Sequence, residues 1–201
     1  MLAADRLAQT AASPIVLIPK NRGLSGQLAR FRDRLVPESG VQLAVRGEDV
    51  PFLANEIARS GRAVVAMTGD DLLDEWLLEG NALDARLVRR RIAWFDPSAI
   101  YGAPALCLAG TSPEVLLQPQ CVRVAVCSRY RRLVERQLLA MSDTGIRFEV
   151  VPIAGAVEAC VGSGVADLIA DIVVSGRTIA EAGLRVLRVI STSDVAILEA
   201  P

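Results

Sequence analysis

Short aliphatic and β-branched runs alternate along the first part of the chain with longer segments whose apolar residues recur at helical spacing. Three of these runs predict strands: PIVLIP at 14–19, VQLAV at 41–45 and AVVAM at 63–67. Three of the longer segments predict helices: 24–35, 49–59 and 71–78. Because strands and helices alternate in this order, we expect an α/β fold with parallel pairing of the strands.

The second half of the chain repeats this alternation after a less regular connection. Between Asn81 and Gly110, the runs RLVRRRIAW and PALCLAG predict two extended segments that pass from one lobe to another. Later strands are predicted at 122–128, 147–153 and 167–174, and helices at 129–141 and 156–164. The final run, RVLRVISTSDVAILEA, predicts two more strands around a Ser-Thr-Ser-Asp turn.

These elements predict an α/β protein of two lobes with a ligand cleft between them. We expect the first lobe to comprise residues 1–103 and, because the last strands return to it, residues 185–201. The second lobe then comprises residues 104–184. The sequence shows no repeat of fixed period and no low-complexity tract, which excludes a repeat architecture.

Composition and charge narrow the classes of partner. The 201 residues are 52% hydrophobic, which is enough for the core of one large domain or two small lobes. With 22 basic and 23 acidic residues, the net charge of -1 gives no general reason to expect nucleic acid or an anionic membrane as a partner. No apolar run reaches the roughly 18 residues of a membrane helix. Four cysteines without a CxxC pair, in a chain that starts without a secretory pattern, predict reduced thiols in the cytoplasm.

The absence of histidine from the sequence removes a block of chemistry. It excludes Ser-His-Asp and Cys-His nucleophile systems and imidazole ligands for zinc. Carboxylates, cations, hydroxyls and backbone amides remain. These groups suit reactions that depend on positioning and on stabilising phosphate charge, often with Mg²⁺.

The stretch DLIADIVVSGRTI at 167–179 fits a phosphate site of this kind. A buried strand is followed by Ser175–Thr178 and then by a helix, an order that points backbone amides at an anion. Gly176 lets the backbone approach closely, Ser175 and Thr178 offer hydroxyls, and Arg177 adds charge. The alternative is a plain turn in which Thr178 caps the next helix, and the residue pattern leaves both interpretations open.

The segment GAVEACVGSGVADLIADIVVSGRTIAEAGL at 155–184 resembles the C-terminal signature of the ATP phosphoribosyltransferase family. The matching residues are Gly155, Ala156, Glu158, Gly164, Ala166, Asp167, Asp171, Ser175, Gly176 and Thr178. The resemblance implies two α/β lobes of the periplasmic-binding-protein type II architecture. It also implies a reaction that joins the phosphoribosyl group of phosphoribosyl pyrophosphate (PRPP) to N1 of ATP and releases pyrophosphate, the first step of histidine biosynthesis.

The same resemblance assigns roles within the signature. The Ser175–Thr178 loop would hold the 5-phosphate of PRPP, and Glu158, Asp167 and Asp171 would lie near the ribose hydroxyls and Mg²⁺, with Asp171 as the metal ligand. Because Asp171 lies in an apolar strand, we expect a cation or hydrogen-bond donors beside it. The alternative is that these carboxylates are turn and helix-terminal residues satisfied by backbone amides.

Three segments of the first lobe resemble the family more loosely. IPKNRGLSGQL at 18–28 is similar to the family's Leu-Pro-Lys-Gly-Arg-Leu opening, which makes Lys20 and Arg22 anion contacts. VRGEDVP at 45–51 makes Arg46 the contact of the leaving pyrophosphate, so the resemblance implies Arg46 and Lys20 as catalytic residues. MTGDDLL resembles Thr-Gly-Lys/Arg-Asp-Val-Leu, which adds Thr68 and Asp71 as substrate contacts.

Several positions depart from the family pattern: Val64 where an Asp is usual, Asp70 where a cation is usual, and Arg131 and Arg132 where Pro and Asn are usual. Two interpretations of the arginines at 129, 131, 132 and 136 stay open, a basic patch for ATP phosphates or the solvated face of a helix. The arginines at 86, 89, 90 and 91 either protect an exposed strand edge or form an interface.

Two classes of function are therefore weighed. One is a working ATP phosphoribosyltransferase, which the signature favours. The other is a catalytically weakened relative that binds a nucleotide or small anion as a sensor or partner subunit, which the departures in the first lobe favour. The length resembles the family's short form, which implies a homo-oligomer and a regulatory subunit similar to histidyl-tRNA synthetase, with neither nucleic acid nor membrane as a partner.

Overall fold

The computed structural model describes residues 13–35, 40–117, 121–141 and 145–201. They form two compact units. Unit 1 comprises the described residues up to Ala93 together with the last segment, Asp194–Pro201. Unit 2 comprises Trp94–Ser193. Each unit contains a five-stranded sheet.

Unit 1 contains the first four strands and the last strand of the chain. Its strands are β1 (Ile15–Pro19), β2 (Val41–Val45), β3 (Val64–Gly69), β4 (Val88–Ile92) and β10 (Val195–Ala200). Its helices are α1 (Arg22–Leu35), α2 (Val50–Arg59) and α3 (Asp70–Leu78), and a 3₁₀ turn covers Gly47–Asp49. The strand order is β2-β1-β3-β10-β4. β1 is parallel to β2 and β3, whereas β10 is antiparallel to β3 and β4.

The core of unit 1 lies between this sheet and the helices α2 and α3. Leu17, Val64 and Leu198 from the strands pack in one cluster with Val50 and Leu73 from the helices. The members of this cluster recur at every second position within a strand, as in Val64 and Ala66, and at every fourth position within α2, as in Val50 and Ala54. This spacing is why the sequence pattern predicts both types of element.

Unit 2 contains the remaining strands. They are β5 (Ala105–Gly110), β6 (Cys121–Cys127), β7 (Arg147–Ile153), β8 (Leu168–Val173) and β9 (Arg185–Thr192). The helices are α4 (Arg131–Met141), α5 (Ala159–Gly162) and α6 (Arg177–Glu181), with 3₁₀ turns at Pro113–Leu116 and Ser128–Tyr130. The order is β7-β6-β8-β5-β9. β6 is parallel to β7 and β8, whereas β5 is antiparallel to β8 and β9.

The two sheets have the same plan. Each sheet has a group of three parallel strands, and the one that comes first in this group along the chain, β1 or β6, lies in the middle of the group. The next strand, β2 or β7, lies on its outer side, and the third, β3 or β8, lies on its inner side. An antiparallel strand then separates this parallel group from one edge strand. The predicted α/β class is confirmed, and parallel pairing holds for three strands of each sheet but not for β10, β4, β5 and β9.

The bounds of the units differ from the predicted lobe bounds. Residues 185–192 form β9, which pairs along β5 and therefore belongs to unit 2 rather than to the first lobe. Residues 94–103 also belong to unit 2, where the amide of Ile100 donates to the carbonyl of Val174. A sequence pattern identifies these segments as extended but not the strands with which they pair.

The four cysteines are all free thiols. Cys107 and Cys160 are buried, Cys127 is half-buried, and Cys121 is exposed. Burial raises the pKa of Cys107 to about 11, so this thiol stays protonated at neutral pH. Within the described ranges, every helix is too short or too polar to cross a bilayer.

Candidate functional site

Three loops of unit 2 meet at one edge of its sheet. β6, β7 and β8 are parallel neighbours, so their carboxyl ends lie side by side. The loops that follow them begin at Ser128, Ala154 and Val174. Open α/β sheets bind ligands beyond the carboxyl ends of their strands, so we call this place the carboxyl edge of unit 2. It carries Glu158 and the Ser175–Thr178 loop.

The Ser175–Thr178 loop turns the chain from β8 into α6. Gly176 is the N-cap residue and has φ +73, a left-handed conformation that residues with a side chain rarely adopt. Thr178 lies inside α6 and is exposed, and the side chain that accepts from the first helical amide, that of Arg177, is the Ser175 hydroxyl at 3.5 Å. The alternative in which Thr178 caps the helix is therefore wrong. The hydroxyls of Ser175 and Thr178 are both accessible to a ligand.

A preceding loop, residues 96–102, supports the Ser175–Thr178 loop from one side. The Asp96 amide donates to the Gly102 carbonyl at 3.1 Å, and the Asp96 carboxylate accepts from both the amide and the hydroxyl of Ser98. From this closed loop, the Ile100 amide donates to the Val174 carbonyl at 2.9 Å. The sequence analysis missed this contact, although Asp96-Pro97-Ser98 is a typical turn sequence.

Asp171 is half-buried on β8, on the same face of the strand as Ile169 and Val173. Burial raises the pKa of its carboxyl group. The Ile172 amide, which donates to Oδ1 at 2.8 Å, and the charge of Arg129 lower the pKa, and the charge of Glu158 raises it. The donor and the cation expected beside Asp171 are therefore the Ile172 amide and Arg129.

Glu158 and Asp171 form an acidic pair whose charges act on each other. Glu158 immediately precedes α5 and is half-buried. Mg²⁺ is usually bound by one or two carboxylates together with phosphate oxygens of a substrate. In the part of the chain that the structure describes, no three acidic or cysteine side chains gather into a metal site. The described residues thus place two carboxylates here and no larger cluster of metal ligands.

The structure does not bring Asp167 to the carboxyl edge of unit 2. Asp167 precedes β8, whereas the Ser175–Thr178 loop follows it, and the strand separates them by about 20 Å. The Asp167 carboxylate accepts from the Arg123 amide at 2.7 Å, and its own amide donates to the Arg123 carbonyl at 2.9 Å. Asp167 thus joins the amino ends of β6 and β8.

In unit 1, the carboxyl ends of β1, β2 and β3 also lie side by side. Lys20 follows β1 and is exposed, and its amide donates to the Val45 carbonyl at 2.8 Å. Arg46 follows β2, is exposed, and opens the Gly47–Asp49 turn. Asp71 is half-buried in the first turn of α3. Arg22 begins α1, but its side chain lies outside the described part of the chain.

Thr68 has a different place from the one expected. It is 0% exposed, and its hydroxyl donates to the Gly47 carbonyl at 2.7 Å. The Gly47 amide donates in turn to Oδ1 of Asn21 at 2.8 Å. Thr68 therefore supports the turn that carries Arg46, with Asn21 as a second support that the sequence analysis missed because no local pattern identifies a contact across 26 positions.

The unusual Asp70 is compensated within unit 1. It is 4% exposed and pairs with Arg89 and, at 3.2 Å, with Arg91. Arg89 also reaches Asp74 at 3.0 Å, and Arg91 reaches Asp194 at 2.7 Å. Both arginines lie on β4, which is an edge strand of the sheet. This position agrees with the interpretation in which the arginines at 86, 89, 90 and 91 protect an exposed strand edge.

The other departures also have structural counterparts. Val64 is 0% exposed and belongs to the core of unit 1. Arg131 and Arg132 lie on the exposed side of α4 and both pair with Glu135, at 2.7 and 3.0 Å. Hydrogen bonding to Arg131 lowers the pKa of Glu135. These pairs favour the solvated-face interpretation.

Comparison with solved structures shows the fold. The ATP phosphoribosyl transferase (HisG:HisZ) complex from Thermotoga maritima is 22% identical with a TM-score of 0.65, over 94% of this chain and 88% of that chain. A TctC solute-binding protein from Polaromonas is 14% identical with a TM-score of 0.58, over 94% of this chain and 76% of that chain. These likenesses confirm the predicted two-unit architecture of the periplasmic-binding type.

Comparison of sequences shows the family. Two proteins named ATP phosphoribosyltransferase, from the Bifidobacterium longum strains NCC 2705 and DJO10A, are each 34% identical over 152 residues, 75% of this chain and 47% of each relative. The chain thus spans about half the length of these curated relatives. The family model described as HisG: ATP phosphoribosyltransferase matches residues 46–200, which include Arg46 and the whole 155–184 signature. The chain therefore belongs to the ATP phosphoribosyltransferase family.

Proposed function

We propose that this chain transfers the phosphoribosyl group of PRPP to N1 of ATP with release of pyrophosphate, the first step of histidine biosynthesis. The observation that carries the proposal is the family match over residues 46–200, together with the position of Glu158 and the Ser175–Thr178 loop at one sheet edge. The alternative of a catalytically weakened relative gains no support from the comparisons, whose family model and sequence relatives are named ATP phosphoribosyltransferase.

We assign the 5-phosphate of PRPP to the Ser175–Thr178 loop. The first amides of a helix have no acceptor within the helix, and a bound anion satisfies them. The exposed hydroxyls of Ser175 and Thr178 add two donors, and the Arg177 guanidinium adds positive charge. Because Gly176 has no side chain, the backbone of the loop can approach the phosphate closely.

We assign the ribose hydroxyls and Mg²⁺ to the acidic pair. Asp171 and Glu158 offer carboxylate oxygens that accept hydrogen bonds from sugar hydroxyls. The same oxygens are ligands that Mg²⁺ prefers, and a bound Mg²⁺ would neutralise charge on the pyrophosphate of the substrate. Since burial raises the pKa of Asp171, a nearby cation favours its ionised form.

We assign the departing pyrophosphate to Arg46 and Lys20. Both are exposed, and they follow neighbouring parallel strands. When the bond from ribose C1 to pyrophosphate breaks, negative charge grows on the leaving oxygen. A guanidinium can bind two phosphate oxygens at once, whereas the ammonium of Lys20 adds a point charge.

We also propose that the chain acts in the cytoplasm as a homo-oligomer with a regulatory subunit similar to histidyl-tRNA synthetase. The support for a second subunit is the likeness to a protein whose structure is that of a HisG:HisZ complex. Size-exclusion chromatography with light scattering, with and without such a subunit, tests both parts of this proposal.

An assay of pyrophosphate release tests the proposed reaction. With PRPP, ATP and Mg²⁺ together, we expect release in proportion to the amount of enzyme, and background release when ATP is omitted. Gly176→Val is the control, because a side chain at φ +73 distorts the proposed phosphate loop. Tight binding of PRPP or ATP without release would instead support the weakened relative.

A further inference from the structure

Side chains hold both backbone polar groups of Gly47 in unit 1, and these belong to the two successive peptide groups that flank its Cα. Its N–H donates to Oδ1 of Asn21 at 2.8 Å, and its carbonyl accepts from the Thr68 hydroxyl at 2.7 Å. Gly47 is buried and follows Arg46 directly. The residue after the predicted catalytic arginine is therefore fixed through both of its backbone polar groups.

The two side chains come from the ends of the other two parallel strands of the sheet, β1 and β3. Asn21 follows β1, and Thr68 lies near the end of β3, while Gly47 follows β2. A backbone hydrogen bond, from the Lys20 amide to the Val45 carbonyl at 2.8 Å, ties β1 to β2 at the same edge. The carboxyl ends of three parallel strands are thus joined at Gly47.

A side chain at position 47 would have to displace Asn21 from its place beside the turn. A Cβ atom there would lie 2.8 Å from Oδ1 of Asn21 and 3.0 Å from Cδ1 of Leu72. The Thr68 hydroxyl is fully buried, where a lost partner is costly. The contacts are therefore close and mutually dependent.

We propose that Asn21 and Thr68 are positioning residues that hold Arg46 ready for the leaving pyrophosphate. This inference rests on the proposed function. Arg46 is exposed and, among the described residues, its side chain forms no ion pair, so the turn fixes the position of its Cα, from which the guanidinium reaches a ligand. A group held in place before the reaction stabilises the transition state without a reorganisation cost. Loss of either support lets Arg46 move and lowers turnover.

Amide hydrogen exchange tests the support directly. In Asn21→Ala, we expect the Gly47 amide to exchange roughly tenfold faster than in the wild type. Asn55→Ala is a matched control, because Oδ1 of Asn55 accepts from the Asp84 amide at 2.7 Å in the same unit. That control should accelerate exchange at Asp84 and not at Gly47. Unchanged exchange at Gly47 in Asn21→Ala would overturn the inference.

Kinetics test whether the support acts through Arg46. We expect Asn21→Ala and Thr68→Val to lower kcat by roughly tenfold with little change in the KM for PRPP, and Thr68→Ser to keep most of the turnover. In an Arg46→Ala background, Asn21→Ala should cause no further loss. Independent, multiplying losses would contradict the inference.

The two measurements separate this inference from the proposed function. If the wild-type protein transfers no phosphoribosyl group, the proposed function fails and the positioning role for that reaction fails with it. The exchange of the Gly47 amide still decides whether Asn21 holds the turn. If the wild type is active and the losses multiply, only the positioning role is wrong. If Thr68→Val does not fold, Asn21→Ala and Thr68→Ser decide the result, since Asn21 is only half-buried.

Discussion

Ile100 holds the chain just before the proposed phosphate loop, through a 2.9 Å hydrogen bond from its amide to the carbonyl of Val174. Its Cδ1 atom also lies 3.4 Å from the point where a Cβ on Gly176 would be. The loop of residues 96–102 is therefore joined to the start of the proposed phosphate loop by a backbone bond, and the Ile100 side chain lies on the side of Gly176 where a Cβ would project.

The side-chain contact can be tested alone. Ile100→Ala keeps the backbone bond and removes the side chain that lies next to Gly176, so we expect PRPP affinity to fall about threefold to tenfold because the loop is less well ordered. Leu117→Ala is a matched control, since Leu117 is an aliphatic residue of unit 2 with 72% exposure. Calorimetric titration with PRPP measures both. Equal affinities in the two variants would contradict a role for Ile100.

The hydroxyls of the phosphate loop give a second prediction. Ser175→Ala with Thr178→Val removes two proposed donors to one phosphate dianion, each worth on the order of 1–3 kcal/mol. We expect PRPP affinity to fall by at least tenfold while ATP affinity stays close to that of the wild type. Titration with each ligand makes the comparison.

Ser163→Ala is the control for this pair, because the Ser163 hydroxyl bonds to the Ala159 carbonyl in the same unit. It should leave PRPP affinity unchanged. A folded double variant that binds PRPP as tightly as the wild type would show that the Ser175–Thr178 loop is only a turn.

Two groups of strands show which parts of the fold can be predicted from the sequence and which cannot. The strands β2 and β7 have the predicted bounds, because their residues alternate or run as β-branched segments bounded by turn residues. The sequence could not predict that β10 is antiparallel to β3 or that β9 pairs with β5, because pairing between distant strands leaves no local pattern. The order of strand, glycine and helix at the proposed phosphate loop was predicted from the sequence and is present in the structure.

The same limit applies to individual side chains. Thr68 and Asp167 match the family pattern, but burial and backbone partners decide that one supports a turn and the other joins two strands. Asn21 and Ile100 were missed because their contacts depend on residues far along the chain. A sequence motif identifies the residue types of a site, whereas tertiary contacts decide which of them face a ligand.

The raised pKa of Asp171 gives a prediction about pH. Because the fold raises this pKa above its unfolded value of 3.8, the folded state binds more protons than the unfolded state between the two values. The contribution of Asp171 to stability therefore falls as pH rises from 3.8 to the raised pKa, and it is constant above that value. Asp171→Asn should remove this fall and be at least as stable as the wild type at neutral pH.

Thermal unfolding of both proteins from about pH 2 to pH 8, a range that also covers the region below 3.8 in which the control responds, measures the difference. Asp84→Asn is the control of opposite sign, because a hydrogen bond from Arg86 lowers the pKa of Asp84. The stability that Asp84 contributes is present above 3.8 and is lost as pH falls through its lowered pKa. A wild type and an Asp171→Asn variant with parallel pH profiles would show that burial does not perturb Asp171.

The pairing of Asp70 predicts unequal roles for two neighbouring arginines. Arg89→Ala removes one partner of a buried carboxylate and should destabilise unit 1 by about 1–3 kcal/mol, less than a wholly unpaired charge because Arg91 remains. Arg90 pairs with Glu199 on the exposed side of β4, so Arg90→Ala should cost less than about 1 kcal/mol. Denaturant unfolding ranks the two, and equal losses would contradict the compensating role of Arg89.

Arg46 is predicted to act on the transition state more than on substrate binding. Arg46→Ala should lower kcat by about a hundredfold with a smaller change in the KM for PRPP, because charge on the leaving pyrophosphate grows during the reaction. Arg46→Lys should recover part of this loss, since an ammonium keeps the charge but not the two-pronged geometry. Steady-state kinetics of the Arg46 variants measure both effects. Arg62→Ala, a variant of another exposed arginine in unit 1, is the control. Full turnover in Arg46→Ala would remove Arg46 from the site.

The most direct test of the proposed reaction follows the atom at which the new bond forms. ATP labelled with ¹⁵N at N1 is incubated with PRPP, Mg²⁺ and the full chain, and the ¹⁵N spectrum and the product mass are recorded. We predict a new N1 resonance and a product that carries the mass of one phosphoribosyl group, both absent with Gly176→Val. An unchanged N1 resonance and no such product, from a folded protein that binds both substrates, would contradict the assignment of this chain as an ATP phosphoribosyltransferase.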